Sequence, residues 1–250
     1  MNRLPVAAFA VLVAATVAAF FITQHLKVTT PLVAGFPRPV PLVINPVDGT
    51  TCGGVNHRQM RISFYLLHSA DDVDVYVVNS GGSIVRTLAS GVHMQIKKRV
   101  VFTWNGREDD GSLAPDGVYY VRLELIHQDR SVTISGPSGP EGFKIKTTFP
   151  MPRITSVTPR AIASGTSSSV TIRYTGNETR SGTILLYRVR ANGKAALVKR
   201  FVTPWHGQRA VWDGLIHKRP AAPGQYQVAL QVSDAACNTA ISPRVGITVQ

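Results

Sequence analysis

Acidic residues are scarce: 14 Asp and Glu stand against 27 Lys and Arg in 250 residues, a net charge of +13 at pH 7. Cysteine is scarcer still, with Cys52 and Cys237 the only two. Two isolated cysteines exclude a disulfide-dense scaffold, and with no histidine at matching spacing they form no zinc signature. Charged residues make up 16% and apolar ones 44% of the chain, with a mean hydropathy of +0.06, which excludes a disordered polyelectrolyte. No long segment beyond the N-terminus repeats with a period of 3.6 residues, so a helical bundle is excluded. G-x-S-x-G, H-E-x-x-H, P-loop and G-x-G-x-x-G patterns are all missing. The seven histidines are scattered. No catalytic residue, cofactor or metal site is therefore expected, and the chain is not expected to be an enzyme.

What the chain does have begins with residues 4–22, an apolar run without charge. Its length is close to the ~20 residues that span a bilayer. Arg3 precedes it and Lys27 follows, which places the N-terminus inside and the remainder outside. A cleaved signal peptide is the alternative, with Val17, Ala18 and Ala19 offering small residues for cleavage. Either way the body is expected to be exported. Residues 24–39 carry prolines, including Pro31, Pro37 and Pro39, and read as a semi-extended spacer.

Beyond the spacer, short β-type segments alternate with turn signals. Met60, Ile62, Phe64 and Leu66 alternate with polar residues, as a half-buried strand requires. Residues 40–45, 73–78, 84–88, 100–104, 118–127 and 143–148 complete about seven strands, with Asn79-Ser80-Gly81-Gly82 as a hairpin turn. A second set follows at 154–157, 170–174, 184–189, 196–202, 209–212, 226–232 and 245–249, with Asn192-Gly193 as its hairpin turn. The organisation predicted is a leader (1–23), a spacer (24–39) and two β-domains (40–149 and 150–250). The fold class is all-β: two tandem immunoglobulin-like sandwiches behind one N-terminal transmembrane or signal helix.

One stretch organises the first set. Val100 to Val121 contains Trp104, Asn105-Gly106, Gly111, Pro115-Asp116-Gly117 and Tyr119. The order recurs as Trp212-Asp213-Gly214, then Pro223-Gly224 and Tyr226. A strand ends on Trp, turns on residues that tolerate positive φ, and re-enters a strand through Tyr. This pattern resembles the immunoglobulin-like domain of the flagellar hook-capping protein, the FlgD-type module. The resemblance covers roughly residue 41 to the C-terminus and implies a bacterial source. It implies a core built on the repeated Trp and Tyr but says little about activity, since such modules accompany many proteins. The hook-capping protein's own N-terminal region is not recognisable, which argues against a hook-capping role.

Charge is unevenly shared. Residues 40–149 hold 11 basic and 11 acidic residues, whereas residues 150–250 hold 13 basic and 3 acidic. Arg188, Arg190, Lys199, Arg200, Lys218 and Arg219 form the candidate anion-binding patch. An exported basic domain would be drawn to an anionic envelope polymer or to a protein partner. Nucleic acid is not expected as a partner, since the domain is expected outside the cell. A solvated basic surface without a ligand is the alternative reading.

Cys52 precedes the second strand of the first domain, and Cys237 lies between the last two strands of the second. Sandwich topology points both loops at the junction between domains. A Cys52–Cys237 disulfide is expected there, provided the Cα atoms approach within about 7 Å; otherwise two loop cysteines stay apart. Glu108, Asp109 and Asp110 lack calcium-loop spacing and read as turn residues, as do Asp71, Asp72 and Asp74. Trp205 and His206 read as cover for a sandwich edge, and Asn177-Glu178-Thr179 as a sequon without meaning in a bacterium. The function expected is adhesion, scaffolding or binding of an anionic envelope component. The alternative is an accessory subunit of an exported hydrolase.

Overall fold

The computed structural model describes residues 4–29, 31–34, 40–136, 139–140, 142–165, 169–176, 181–204 and 207–250. Helix α1 covers Leu4–Thr29. Its many alanines favour helix, and no glycine interrupts it. Among the described residues no helix is long and apolar enough to cross a membrane. The helical side chains described are those of residues 8–23. The expected bilayer span is therefore unsupported. The expected spacer is also redrawn, because the helix runs on through residue 29 and Val33 and Ala34 are already in a strand. Leu32 is buried in the first core, so burial competes successfully with the proline-rich character of the stretch.

The first set of strands comprises β1 (Val33–Ala34), β2 (Val43–Ile44), β3 (Met60–Leu66), β4 (Asp71–Asn79), β5 (Ile84–Met94), β6 (Val100–Trp104), β7 (Gly117–Leu125), β8 (Arg130–Thr133) and β9 (Phe143–Ile145). One sheet runs β1-β3-β6 and the facing one β2-β9-β7-β4-β5, with β8 along the end of β7. The second set comprises β10 (Arg153–Thr158), β11 (Ala161–Ile162), β12 (Val170–Thr175), β13 (Thr183–Val189), β14 (Ala195–Val202), β15 (Arg209–Trp212), β16 (Gly224–Ser233), β17 (Thr239–Ile241) and β18 (Val245–Val249). Its sheets run β10-β12-β15 and β11-β18-β16-β13-β14, with β17 along β16. Adding nine to every label of the first sandwich reproduces the second.

The equivalence extends to detail. In each sandwich the entering chain pairs with one sheet, passes a cis X-Pro bond (Val40-Pro41, Thr158-Pro159), and then pairs parallel with the last strand of the other sheet. Among the described residues no strand of one set pairs with a strand of the other. Two cores result. Burial alternates strictly along β7, where Tyr119, Val121, Leu123 and Leu125 face inward and Arg122 and Glu124 outward. The first core gathers Met60, Ile62, Phe64, Trp104, Tyr119 and Phe143, and the second Ile172, Tyr174, Trp212, Tyr226, Leu230 and Ile247. Among the described residues none belongs to both. Each large side chain fully buried contributes about 1.5–3 kcal/mol.

Candidate functional site

The repeated Trp–Tyr motif makes the same contacts twice. Trp104 Nε1 donates to the Arg107 carbonyl at 2.7 Å, and Trp212 Nε1 to the Leu215 carbonyl at 3.0 Å. Tyr119 Oη donates to the Pro115 carbonyl at 2.6 Å, and Tyr226 Oη to the Ala222 carbonyl at 2.9 Å. Ring centroids lie 5.2 Å apart in the first pair and 5.7 Å in the second. Gly106 (φ +74°) and Gly214 (φ +72°) make the turns left-handed. A Cβ on Gly106 would fall onto the Pro46 ring, so only glycine fits there. Gly117 and Gly224 correspond, and both precede the motif tyrosine by two residues. The prolines are offset: Pro115 is matched by Ala222, and Pro223 takes the place of Asp116. With both indoles 1% exposed, these residues pin the two cores and offer nothing to a ligand.

The structure brings two loops together between the sandwiches. Thr51–Cys52 pairs with Val55–Asn56 in a two-residue ribbon of the first sandwich, and residues 234–238 turn at the end of β16 in the second. Cys52 and Cys237 are joined in a disulfide with Cα atoms 6.3 Å apart. Cys237 has φ +63°, in a turn closed by its N–H on the Asp234 carbonyl at 3.1 Å. The joint around the disulfide is polar and buried. Asn45 Oδ1 accepts from the Val47 and Asp48 N–H groups, and its Nδ2 donates to Asn238 Oδ1 at 2.7 Å. Asn238 Nδ2 reaches the Lys146 and Thr148 carbonyls and Asp234 Oδ2 at 3.1–3.3 Å. Lys146 Nζ lies 3.1 Å from Asp234 Oδ2, whose side chain is 2% exposed. Buried polar groups are stable only when paired, and here the Asn45–Asn238 bond, the Asn238 bonds to the Lys146 and Thr148 carbonyls and the Lys146–Asp234 pair all cross between the sandwiches.

His57 completes the joint. Its Nδ1 is 2.9 Å from the Val43 carbonyl oxygen and its side chain is buried. A ring nitrogen of His57 and the two sulfur atoms lie within 4.8 Å of one another. The sequence analysis expected the Cys52–Cys237 bridge, which is present, but left His57 out of the group, because only the fold brings Cys237 to it.

The basic patch divides. Lys199, Arg200 and Lys218 line a cleft of about 350 Å³ with Val198, Asp213, Leu215 and His217. Lys199 Nζ bonds Asp213 Oδ1 at 2.9 Å and the Leu215 carbonyl at 2.8 Å. Burial pushes the Asp213 carboxyl up, but the bonds from Lys199 and the Leu215 N–H outweigh it and hold the group below its ordinary value. His217 (φ +51°) and Lys218 (φ +66°) form the tip of a ribbon joining Leu215–Ile216 to Arg219–Pro220, with Arg219 beside them. Arg188 donates to the Pro223 carbonyl at 3.4 Å, and Arg190 sits in the Arg190–Lys194 turn, so neither belongs to the cleft lining. The described acids of the second sandwich are both in ion pairs, Asp213 with Lys199 and Asp234 with Lys146.

In the first sandwich Asp71, Asp72, Asp74, Asp109 and Asp110 all have partners. Asp109 accepts from Thr87 and lies 3.6 Å from Arg86, while Asp110 caps the Ser112 N–H. Asp71 accepts from His127 and Gln128, Asp72 meets His93 at 2.8 Å, and Asp74 accepts from Gly91 and Tyr76. These are turn and strand-end anchors. Trp205, His206 and the sequon at Asn177 lie outside the described residues.

The family model described as the FlgD Ig-like domain matches residues 50–129, the greater part of the first sandwich. That stretch contains the Trp104 motif, while the second motif falls beyond it. No curated protein matches the chain in sequence. Among solved structures, the FN1–FN3 domains of chicken CNTN1 are 14% identical over 83% of this chain and 67% of that one, with a TM-score of 0.35. A marsupial T cell receptor is 12% identical over 88% of this chain and 72% of its own, with a TM-score of 0.34. The match over residues 50–129 and the strand pairing describe an immunoglobulin-like β-sandwich module of the binding or scaffold kind.

Proposed function

We propose that this protein is a non-enzymatic, exported two-sandwich module that binds an anionic envelope polymer through the basic cleft of its second sandwich. The observation that carries this reading is the charge at that end. Residues 150–250 hold 13 bases against 3 acids, and the described acids are spent on Lys199 and Lys146. Arg200, His217 and Lys218 around the cleft are exposed, and among the described residues of their own sandwich no carboxylate is left to balance them. The disulfide supports placement outside the cytoplasm, since such bonds persist in oxidising compartments. Locked at the joint, the first sandwich would act as a rigid spacer that presents the second.

The test is binding of the oxidised full chain to a glycerol-phosphate polymer, with neutral dextran as control. Binding is expected to weaken as salt rises. Replacing Arg200 and Lys218 together by Gln should weaken it about thirty-fold at low salt, from ~1 kcal/mol per cation near an anionic surface. Salt-insensitive binding, or a double variant that binds like the parent, would overturn the electrostatic reading. Salt-insensitive capture of one protein partner would favour an accessory role beside an exported hydrolase.

A further inference from the structure

We propose that the interdomain joint is also a metal site: with the disulfide reduced, Cys52, Cys237 and His57 bind a thiophilic cation of the Zn2+ class. Two observations converge. The ring nitrogen and both sulfurs already lie within 4.8 Å of one another, the spacing from which three ligands can close on one ion. The tautomer of His57 is also set. Its Nδ1 contacts the Val43 carbonyl at 2.9 Å, and a carbonyl oxygen only accepts, so Nδ1 carries the proton. In the neutral ring Nε2 is then the nitrogen with a lone pair to offer a cation. A histidine anchored through one nitrogen to a backbone carbonyl is the usual state of a metal ligand.

The supporting frame is rigid on both sides. Asn45 N–H bonds the His57 carbonyl at 2.9 Å, and the His57 N–H bonds the Thr50 carbonyl at 3.1 Å, which fixes the loop bearing Cys52. On the other side Asp234 Oδ1 accepts from Ala236 and Asn238, which fixes the turn bearing Cys237. A Cα separation of 6.3 Å leaves room for the sulfurs to part and admit an ion between them. Two thiolates and one imidazole leave a fourth tetrahedral position for water.

The two states exchange in balanced steps. A dithiol reductant supplies two electrons and two protons to the Cys52–Cys237 bond, giving two thiols and the oxidised reductant. Metal binding then releases both thiol protons as two Zn–S bonds form. The joint would thus stay closed in either redox state, by a covalent bond or by a shared ion.

The test is a Co2+ titration of the full chain, reduced with a phosphine and held without oxygen. An intense near-ultraviolet thiolate-to-cobalt band and visible bands of tetrahedral Co2+ are expected at one ion per chain, with Zn2+ displacing them. Oxidised protein should show neither. His57→Gln and His57→Ala should each weaken binding roughly ten-fold or more, with near-ultraviolet circular dichroism confirming intact sandwiches. Cys52→Ser should remove most of the thiolate band. Absence of the band in reduced parent protein, equal binding by oxidised protein, or histidine variants that bind as well as the parent would each sink the proposal.

Discussion

At the scale of the residue, single side chains act by satisfying backbone groups that burial would otherwise leave bare. Tyr119 and Tyr226 each reach back four residues to a carbonyl, and Trp104 and Trp212 reach forward three. Asp71 does the same with charge. Burial pushes its carboxyl up, but the His127 N–H, the Gln128 amide, the His127 ring and the Asp72 N–H together hold it below its ordinary value of 3.8. A carboxyl whose folded pKa is lowered binds fewer protons folded than unfolded in acid. Its contribution is therefore complete above the ordinary value and drains away as pH falls through the lowered one. Asp71→Asn should flatten the loss of stability between about pH 4 and 2, the ordinary carboxyl range and below. Urea midpoints measured across that range check this; an unchanged acid slope would count against it. Asp74, Asp116 and Asp213 are lowered as well, so the slope should be reduced rather than abolished.

At the scale of the element, the ribbon tip breaks the usual turn chemistry. Two-residue hairpin turns with positive φ at both positions favour Asn-Gly, yet His217 and Lys218 occupy this one at φ +51° and +66°. A side chain in the left-handed region costs about 1–2 kcal/mol. Glycine removes that strain and returns part of the gain through its greater freedom when unfolded. Lys218→Gly is expected to raise stability by about 0.5–1 kcal/mol while weakening binding to the anionic polymer. Urea unfolding and binding measured on the same variant test both halves, and a variant that gains stability without losing affinity would remove Lys218 from the proposed site. Strand β14 carries a related feature. It ends its sheet, with Val202 71% exposed, and the bulge opposite Leu186 and Tyr187 together with Lys199 and Arg200 discourages another strand from pairing with it.

At the scale of the whole molecule, two cores that share none of the described residues are tied by one disulfide and one buried polar network. Cutting the tie in metal-free protein, through Cys52→Ser with Cys237→Ser, should let the sandwiches unfold as two separate transitions. The less stable one should fall by roughly 2–4 kcal/mol, the usual worth of a crosslink closing a long loop. Urea unfolding with and without the crosslink decides this, and one unchanged transition would show that the polar joint alone couples them. Much of the architecture was legible beforehand. Alternation placed Met60, Ile62, Phe64 and Leu66 inside, and the motif prolines, glycines and aromatics fixed the turn between β6 and β7. These patterns are local, since the faces of a strand and the φ of a turn residue depend on immediate neighbours. Strand length was less legible: β5 runs on to Met94, past the predicted 88, and β8 and β17 were missed because their partners, not their own residues, define them. The sequence by itself determined two β-sandwiches, their aromatic pins and the basic excess of the second. Only tertiary structure decided that His57 meets the cysteines, that Asn45 meets Asn238, and that Lys199, Arg200 and Lys218 share a cleft while Arg188 and Arg190 stand apart. Those contacts join segments far apart along the chain, and no periodicity of neighbours can encode a distance set by how separate sheets pack.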